Sequence, residues 1–141
     1  MSDIYGRNLK IEVFGGSHDP KIGMELTGFP KGMKVDMTSL RGLMKRRAPG
    51  QNTLATARKE ADEPIFTSGL DEAGATDGGV LRAIIRNTNQ HSKDYSKLAT
   101  IPRPSHADYA AMVKYHGKAD LRGGGHFSGR LTAPICIAGG L

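Results

Sequence analysis

The chain has no tryptophan, a single cysteine and few aromatic residues. Its 141 residues include one cysteine, Cys136, and 6% aromatics. A lone cysteine cannot form an internal disulfide bond, so a reducing cytoplasm is the expected location. No segment is long and apolar enough to cross a bilayer, and the first ten residues lack the apolar stretch of a signal peptide. We therefore expect neither a membrane protein nor a disulfide-stabilised secreted domain.

Glycine and positive charge are abundant instead. The 19 glycines indicate turns and close backbone contacts rather than a helical bundle. Twenty Lys and Arg against 14 acidic residues give a net charge of +6. A basic chain suits nucleic acid, an anionic membrane or a strongly anionic small molecule. The arginines are scattered beside Gly, Pro, Ser and His rather than gathered in a basic run, which favours the small anion.

Alternating apolar residues predict short strands, and two segments have helical spacing. The first helix is expected from Asp36 or Thr38 to Arg47, and the second from a Ser105 cap to His116. Strands are predicted within 8–16, 22–32 and 64–70, and residues 79–89 as a buried strand or a helix start. The apolar segment 131–141 stops at the chain end, so we expect a fragment of a longer protein.

Two histidines stand in loops rich in small residues. His18 follows a predicted strand within FGGSHDPKIG, and His106 precedes a predicted helix within RPSHAD. Imidazole gives and takes protons near neutral pH, and side chains at the end of a rigid element commonly bind ligands. Both are candidate proton-transfer groups, against the alternative that a lone loop histidine is a surface residue.

Several arginines are mounted in ways that suit phosphate or carboxylate. Arg103 lies between two prolines that restrict its backbone, and a fixed guanidinium favours bidentate contacts. Arg47 precedes a Pro–Gly turn, where the alternative is a helix-end charge. The segment RGGGHFSGR exposes backbone N–H groups between Arg122 and Arg130 and can hold an anion. The alternative for this segment is a flexible surface loop.

Other chemistries fit the sequence less well. The glycine run has neither dinucleotide-fingerprint nor P-loop spacing, no two histidines have metal-ligand spacing, and Cys136 has no partner, so no metal is expected. Ser17 and Ser105 each precede a histidine, but sequence adjacency does not make a triad. The residues alone indicate an anion-binding enzyme piece with two candidate proton-transfer histidines.

The order of the segments resembles the chorismate synthase family. The matching segments run from about residue 5 to residue 141, with RPSHADY and RGGG as the most specific; the others are FGGSHDPKIG, RRAPGQ, TARKEAD, RNTNQHSKDYS and HFSGRLTAP. Members are more than twice as long. Residues 1–141 are therefore expected to be the N-terminal portion of a single domain.

The resemblance implies a fold, a reaction and cofactors. The fold is α+β, a β-α-β sandwich of which this chain has an incomplete part. The reaction is the elimination of phosphate from 5-enolpyruvylshikimate 3-phosphate to give chorismate, the last step of the shikimate pathway to aromatic amino acids. Reduced FMN is the implied cofactor, with NADPH in members that reduce their own flavin. A cytoplasmic homotetramer is implied, with no nucleic-acid or membrane partner.

The resemblance also implies roles for individual residues. His18 matches a histidine that transfers a proton near the substrate, and His106 matches one that protonates reduced flavin. The implied contacts to the substrate's phosphate and carboxylates are Arg47, Arg103 and Arg130. The implied cofactor contacts are His126, Phe127 and Ser128, with Arg47 at an NADPH position.

The sequence departs from the family pattern at several positions. Family members usually have FGESHG, whereas this chain has Gly16 for the Glu and Asp19 for the last Gly. Asp19 places a negative charge beside His18, which favours imidazolium. Ser105 replaces the Gly of RPGH, and Thr53 replaces a basic residue. Gly16 and Asp19 favour one alternative, an inactive paralogue or split subunit that needs a partner. The net charge of +6 is the sole support for another, a basic nucleic-acid-binding module.

Overall fold

Five antiparallel strands form one sheet, with helices packed on one face. The computed structural model describes residues 2–50, 61–88 and 101–141. The sheet order is β1-β2-β3-β5-β4. The strands are β1 Ser2–Tyr5, β2 Lys10–Phe14, β3 Lys21–Thr27, β4 Ile65–Ser68 and β5 Leu81–Arg86. The helices are α1 Met37–Arg47, α2 Asp108–Lys114 and α3 Thr132–Gly140.

The core lies between the sheet and helices α1 and α3. Alternate residues of the central strands face it: Ile22, Met24 and Leu26 on β3 pair in register with Ile85, Ala83 and Leu81 on β5. These side chains are almost fully buried, as the period of two in a strand requires when one face is covered. Because α3 contacts β2, β3 and β5 as well as α1, it joins the two layers.

Charged and aromatic side chains lie on the other face of the sheet. Phe14 lies over Gly23, where a Cβ would approach the Phe14 Cζ to 2.4 Å. The guanidinium of Arg82 lies 4.7 Å from the centre of the Phe14 ring and pairs with Glu25 at 3.2 Å. Glycine at position 23 therefore allows an aromatic side chain to lie flat across the strand.

Helix α1 begins and ends as its sequence predicts. The Asp36 carboxylate accepts hydrogen bonds from the backbone N–H groups of Thr38 and Ser39, each at 3.0 Å. This satisfies two of the donors that a helix start leaves unpaired. Three basic residues occupy its last turn, where the helix dipole favours positive charge. Leu40 and Met44 face the core.

The prediction for α2 is wrong at its start. The helix begins at Asp108, its cap residue Ala107 makes no side-chain hydrogen bond, and Ser105 is not the cap. Ser105 instead has a φ of 63°. This left-handed conformation favours glycine. Glycine is the residue that the family pattern RPGH has at the position of Ser105.

The α+β class and most element positions are confirmed. Residues 79–89 contain strand β5 rather than a helix, and the apolar segment 131–141 contains helix α3. Strand β1 was not predicted, because its residues have no clear alternation and its pairing with β2 defines it. Residues 51–60, including Thr53, lie outside the described residues. None of the described helices is long and apolar enough to cross a membrane.

Helix α3 offers a matched pair of isoleucines for a stability test. Ile137 is fully buried, whereas Ile135 is 49% exposed on the same helix. We expect Ile137→Ala to lower the free energy of unfolding by about 2–5 kcal/mol, because it leaves a cavity between the layers. Ile135→Ala should change it by less than about 0.5 kcal/mol. Urea denaturation of both variants measures the difference, and equal effects would show that α3 does not dock as described.

Candidate active site

The predicted proton-transfer residue His18 lies in a loop held against the glycine segment, Arg122–Phe127. The loop joins β2 to β3. The backbone N–H of Ser17 donates to the Gly125 carbonyl at 3.0 Å, and the Ser17 hydroxyl donates to the Arg122 carbonyl at 3.1 Å. Ser17 and His18 are 2% and 9% exposed. Residues more than 100 positions apart therefore form one buried contact.

Ser17 also orients the His18 ring. The Ser17 Oγ lies 3.0 Å from the His18 Nδ1. Because the hydroxyl donates its single proton to the Arg122 carbonyl, its oxygen accepts from Nδ1–H of His18. The neutral ring then has Nε2 as its basic nitrogen. Ser17 thus acts as an orienting group rather than as a nucleophile.

The glycine segment approaches this loop more closely than any side chain permits. A Cβ at Gly123 would lie 2.2 Å from the His18 Cε1 and 2.5 Å from its Nδ1. A Cβ at Gly125 would lie 1.8 Å from the Asp120 carbonyl oxygen. Gly123, Gly124 and Gly125 all have positive φ angles. The glycine run therefore serves close packing against His18, which composition alone did not predict.

His126 is buried and fixes the other end of the glycine segment. Its Nδ1 lies 2.8 Å from the Gly15 carbonyl oxygen, and its Nε2 lies 3.1 Å from Asp3 Oδ2. Each ring nitrogen thus has an oxygen partner within hydrogen-bond distance. His126 therefore connects β1 and the end of β2 to the glycine segment.

Asn87, just after β5, connects the His18 loop to Arg130. Its Nδ2 donates to the carbonyls of Asp19 at 2.7 Å and Gly16 at 3.3 Å, and its backbone N–H donates to the Pro20 carbonyl at 3.0 Å. Its Oδ1 accepts from Arg130 Nε at 3.0 Å. One buried amide therefore holds the loop on one side and a guanidinium on the other.

Asp62 holds two of the predicted substrate-binding arginines. Its Oδ1 accepts from Arg130 Nη1, and its Oδ2 accepts from Arg47 Nη1 at 2.6 Å. The Asp62 side chain is fully buried, and those of Arg130 and Arg47 are 4% and 20% exposed. Arg47 Nη2 also donates to the Gly129 carbonyl and to Thr132 Oγ1. The structure thus brings Arg47 and Arg130 together around one carboxylate.

Arg103 is held by a different aspartate. Its Nε and Nη2 donate to Asp108 at 2.7 and 2.9 Å, and Nη2 also reaches the Leu121 carbonyl at 3.4 Å. Side-chain hydrogen bonds from Arg103 hold the pKa of Asp108 below its ordinary value of 3.8. The two prolines therefore restrict the backbone of Arg103, and the buried carboxylate of Asp108 accepts hydrogen bonds from its guanidinium. The nearby His106 side chain is exposed before α2.

Charged groups surround the His18 loop. Hydrogen bonds from Arg122 lower the pKa of Asp120, and the charge of His18 adds a smaller lowering. The hydrogen bonds to Asp120 raise the pKa of Arg122, and the negative charge of Asp19 adds a smaller increase. A Cβ at Gly16 would lie 3.3 Å from Asp19 Oδ2. The two departures from FGESHG therefore lie together, with the Asp19 carboxylate in the space beside Gly16.

Phe127 and Ser128 follow the glycine segment and border a cavity. Ser128 Oγ accepts from the Arg130 backbone N–H at 3.2 Å, and Phe127 is 43% exposed. The cavity has a volume of about 190 Å³, and its lining includes Tyr5, Val13, His126, Phe127 and Ser128. Three of the four predicted cofactor-binding residues thus line one recess beside β1, and the fourth, Arg47, is not part of its lining.

The predicted site residues fall into two groups. Hydrogen bonds join the His18 loop, Arg130 and Arg47 through Asn87 and Asp62, and His126 contacts the start of the same loop at the Gly15 carbonyl. Arg103 reaches the segment through Leu121, and His106 lies at the surface. Within the described ranges, no cluster of three or more His, Cys, Asp or Glu residues has a geometry for a metal ion. The roles of these residues remain predictions.

Three supporting residues were missed by sequence reasoning: Asp62, Asn87 and Asp108. Each is at least 92% buried, and each binds an arginine. Asp108 had a local signal, because it follows Arg103 by five positions at the start of a helix. The partners of Asp62 and Asn87 are up to 71 positions away, which no local pattern indicates.

Comparison with known proteins gives a consistent match. Residues 9–141 match a family model described as Chorismate synthase. A chorismate synthase of Lancefieldella parvula is 45% identical over 141 residues, which are 100% of this chain and 37% of that protein. One from Korarchaeum cryptofilum is 42% identical over 97% of this chain and 38% of its own length. A crystal structure of a chorismate synthase matches 95% of this chain and 32% of that chain, with a TM-score of 0.62 and 22% identity.

The close contact at Gly123 predicts a specific sensitivity. We expect Gly123→Ala to destabilise the protein more than Gly124→Ala by about 1–3 kcal/mol, the usual cost of overpacking. Both variants carry the backbone cost of a positive φ, but a Cβ at Gly124 meets only Ser128 Cβ at 3.5 Å. Chemical denaturation measures the free energies, and the NMR signal of His18 Cε1–H reports ring displacement. Equal costs and an unmoved His18 signal would contradict the packing.

The lowered pKa of Asp108 predicts an acid-sensitive stability. A carboxyl whose folded-state pKa is depressed stabilises the protein above its ordinary value of 3.8. That contribution is lost as the pH falls below 3.8 through the folded-state pKa. We expect Asp108→Asn to lower stability at neutral pH and to flatten part of the decline below 3.8. Denaturation at a series of pH values measures both, and a variant with the wild-type acid slope would refute the Arg103–Asp108 linkage.

Proposed function

The chain belongs to the chorismate synthase family, and from that membership we propose that it carries part of an active site for chorismate formation. The proposed reaction eliminates phosphate from 5-enolpyruvylshikimate 3-phosphate. The chain spans about 37% of the length of the relative from Lancefieldella parvula. Residues 1–141 are proposed to correspond to the N-terminal portion of one domain.

One observation carries this proposal: the buried contact of Ser17 and His18 with the glycine segment. It fixes the proposed proton-transfer side chain directly against the backbone of the glycine segment. Asn87 then ties the same loop to the Arg130–Asp62–Arg47 group. A basic group and cationic groups at fixed positions are what an elimination from a phosphate ester requires.

His18 is the proposed proton-transfer residue near the substrate. With Nδ1–H donated to Ser17, Nε2 is the nitrogen that accepts and returns a proton. Asp120 lies close enough for its carboxylate and the charged His18 ring to attract each other. His106, at the exposed start of the α2 segment, is the proposed second proton-transfer residue, with reduced flavin as its partner.

Arginines are the proposed ligands for the anionic groups of the substrate. Arg47 has 20% of its side chain exposed and is the proposed direct contact. Arg103 and Arg130 donate mainly to Asp108 and to the Asp62–Asn87 pair. Their proposed contribution is a positive potential that attracts phosphate and carboxylate groups. Arg47 is also the proposed contact for NADPH.

The residues near the cavity beside β1 fit a planar aromatic group. Tyr5 and Phe127 supply rings, Val13 supplies apolar surface and Ser128 supplies a hydroxyl. Because both His126 nitrogens already bind Gly15 and Asp3, His126 offers the face of its ring. His126, Phe127 and Ser128 would hold reduced FMN, which supplies a transient electron to this redox-neutral reaction. A homotetramer in the cytoplasm completes the proposal.

Reduced FMN and substrate test the proposal directly. Under anaerobic conditions, the chain is titrated with reduced FMN in the presence of 5-enolpyruvylshikimate 3-phosphate, alone and with the remaining portion of the Lancefieldella parvula relative. We expect flavin binding that depends on substrate, and chorismate formation in the mixture. His18→Ala should abolish chorismate formation and leave flavin binding intact.

The other interpretations predict different results. An inactive paralogue, which the Gly16 and Asp19 departures favour, would bind flavin or substrate in the mixture without forming chorismate. Reversal of both departures in one variant, Gly16→Glu with Asp19→Gly, would then restore turnover. A nucleic-acid module would bind RNA or DNA with an affinity that falls steeply with salt. Persistent failure to bind flavin in the mixture would refute the proposal.

A further inference from the structure

We propose that Asp62 is a positioning residue: its carboxylate fixes Arg47 for anion binding while it is itself held by the buried Arg130. This inference rests on the proposed function, because it takes Arg47 to be an anion ligand. It assigns different tasks to the two arginines. Arg130 anchors the carboxylate inside the protein, and Arg47 presents its guanidinium at the surface.

The two oxygens of Asp62 serve different arginines. Oδ1 accepts from Arg130 Nη1, and Oδ2 accepts from Arg47 Nη1 at 2.6 Å. Arg47 Nη2 is fixed further by Thr132 Oγ1 at 3.1 Å and the Gly129 carbonyl at 3.2 Å. Three acceptors from two segments therefore define the plane of the Arg47 guanidinium, and a fixed plane is what bidentate recognition needs.

Burial separates the anchor from the ligand. The Asp62 side chain is fully buried and that of Arg130 is 4% exposed, whereas that of Arg47 is 20% exposed. One carboxylate between two guanidinium groups leaves a net charge of +1. A buried carboxylate with one arginine is compensated, so the second arginine keeps its attraction for an anion. Of the two arginines, Arg47 is the one exposed enough to bind an anion from solvent.

The backbone at Asp62 is strained, which supports a role for this side chain. Its φ is 50°, in the left-handed region that a residue with a Cβ rarely adopts. Glycine would remove that strain but would also remove the carboxylate. The chain keeps the acid at a position where its backbone favours glycine, which is expected if the carboxylate is needed at this point.

The arrangement also sets Arg47 relative to His18. Arg130 Nε donates to Asn87 Oδ1, and Asn87 Nδ2 donates to the carbonyl of Asp19 in the His18 loop. The path from the loop to Arg47 therefore runs through fixed polar contacts, all of them buried or half-buried. Asp62 is the link at which the path leaves the interior, so a change there frees Arg47 and leaves the loop in place.

NMR spectra of the arginine Nε–Hε groups and titration with inorganic phosphate test the proposal. In the wild type we expect an Arg47 Nε–Hε group as rigid as the backbone, in contrast to the exposed Arg41. Asp62→Asn removes one charge and should make Arg47 mobile and weaken phosphate binding about tenfold. Asp62→Glu keeps the charge, and its longer side chain should weaken binding as well.

Glu63→Gln is the matched control. It removes a carboxylate one position away that pairs with Arg41 on α1 at 2.8 Å, with both side chains more than half exposed. We expect it to leave the Arg47 signal and phosphate affinity unchanged. Stronger phosphate binding in Asp62→Asn would overturn the proposal, because it would mean that the carboxylate only neutralises Arg47. A mobile Arg47 in the wild type would overturn it without any variant.

The test separates this inference from the proposed function. If the wild type binds no phosphate, the anion site of the proposed function fails, and the mobility of Arg47 in Asp62→Asn still decides whether Asp62 positions it. If the wild type binds phosphate and all three variants bind it equally, the anion site stands and Asp62 has no positioning role.

Discussion

The contact between His18 and Gly123 is possible only because glycine has no side chain, and the candidate site is organised around it. A Cβ at Gly123 would overlap the His18 ring, and Ser17 and Gly125 bind each other through backbone atoms on the same side. The Ser17 hydroxyl donates to the Arg122 carbonyl and contacts Nδ1 of the His18 ring, which orients the ring. Three glycines with positive φ cost conformational entropy, and they allow the His18 ring to pack directly against the backbone.

The fold was predictable where its signals are local. Alternation in β3, the Asp36 cap and the basic last turn of α1 each act within a few residues, so they appear in the sequence. Strand β1 is different, because an edge strand is defined by its partner. The start of α2 was also not predictable from local sequence. A serine before a helix suggests an N-terminal cap, but Ser105 has a left-handed φ and the helix begins three residues later, at Asp108.

The candidate site was predictable in its reactive residues and not in their supports. Histidine and arginine in loops rich in glycine and proline can be recognised in the sequence as candidate functional residues. The partners of those residues depend on the tertiary fold: Asp62 reaches Arg130 across 68 positions, and Asn87 joins two distant loops. A buried carboxylate also looks like any other acidic residue in a polar stretch, until its burial is known.

The buried and half-buried aspartates also determine how the arginines of this basic chain can bind anions. Arg47, Arg103 and Arg122 each donate to an aspartate, Asp62, Asp108 and Asp120. These three ion pairs therefore add little to the net charge of +6, but they fix the direction of the guanidinium groups. A free arginine attracts any anion from any direction, whereas a guanidinium fixed by a carboxylate has fewer donors left and these point one way. Such pairing lowers the attraction for anions in general and favours one whose shape fits the remaining donors, which is how an enzyme gains selectivity from a limited number of charges.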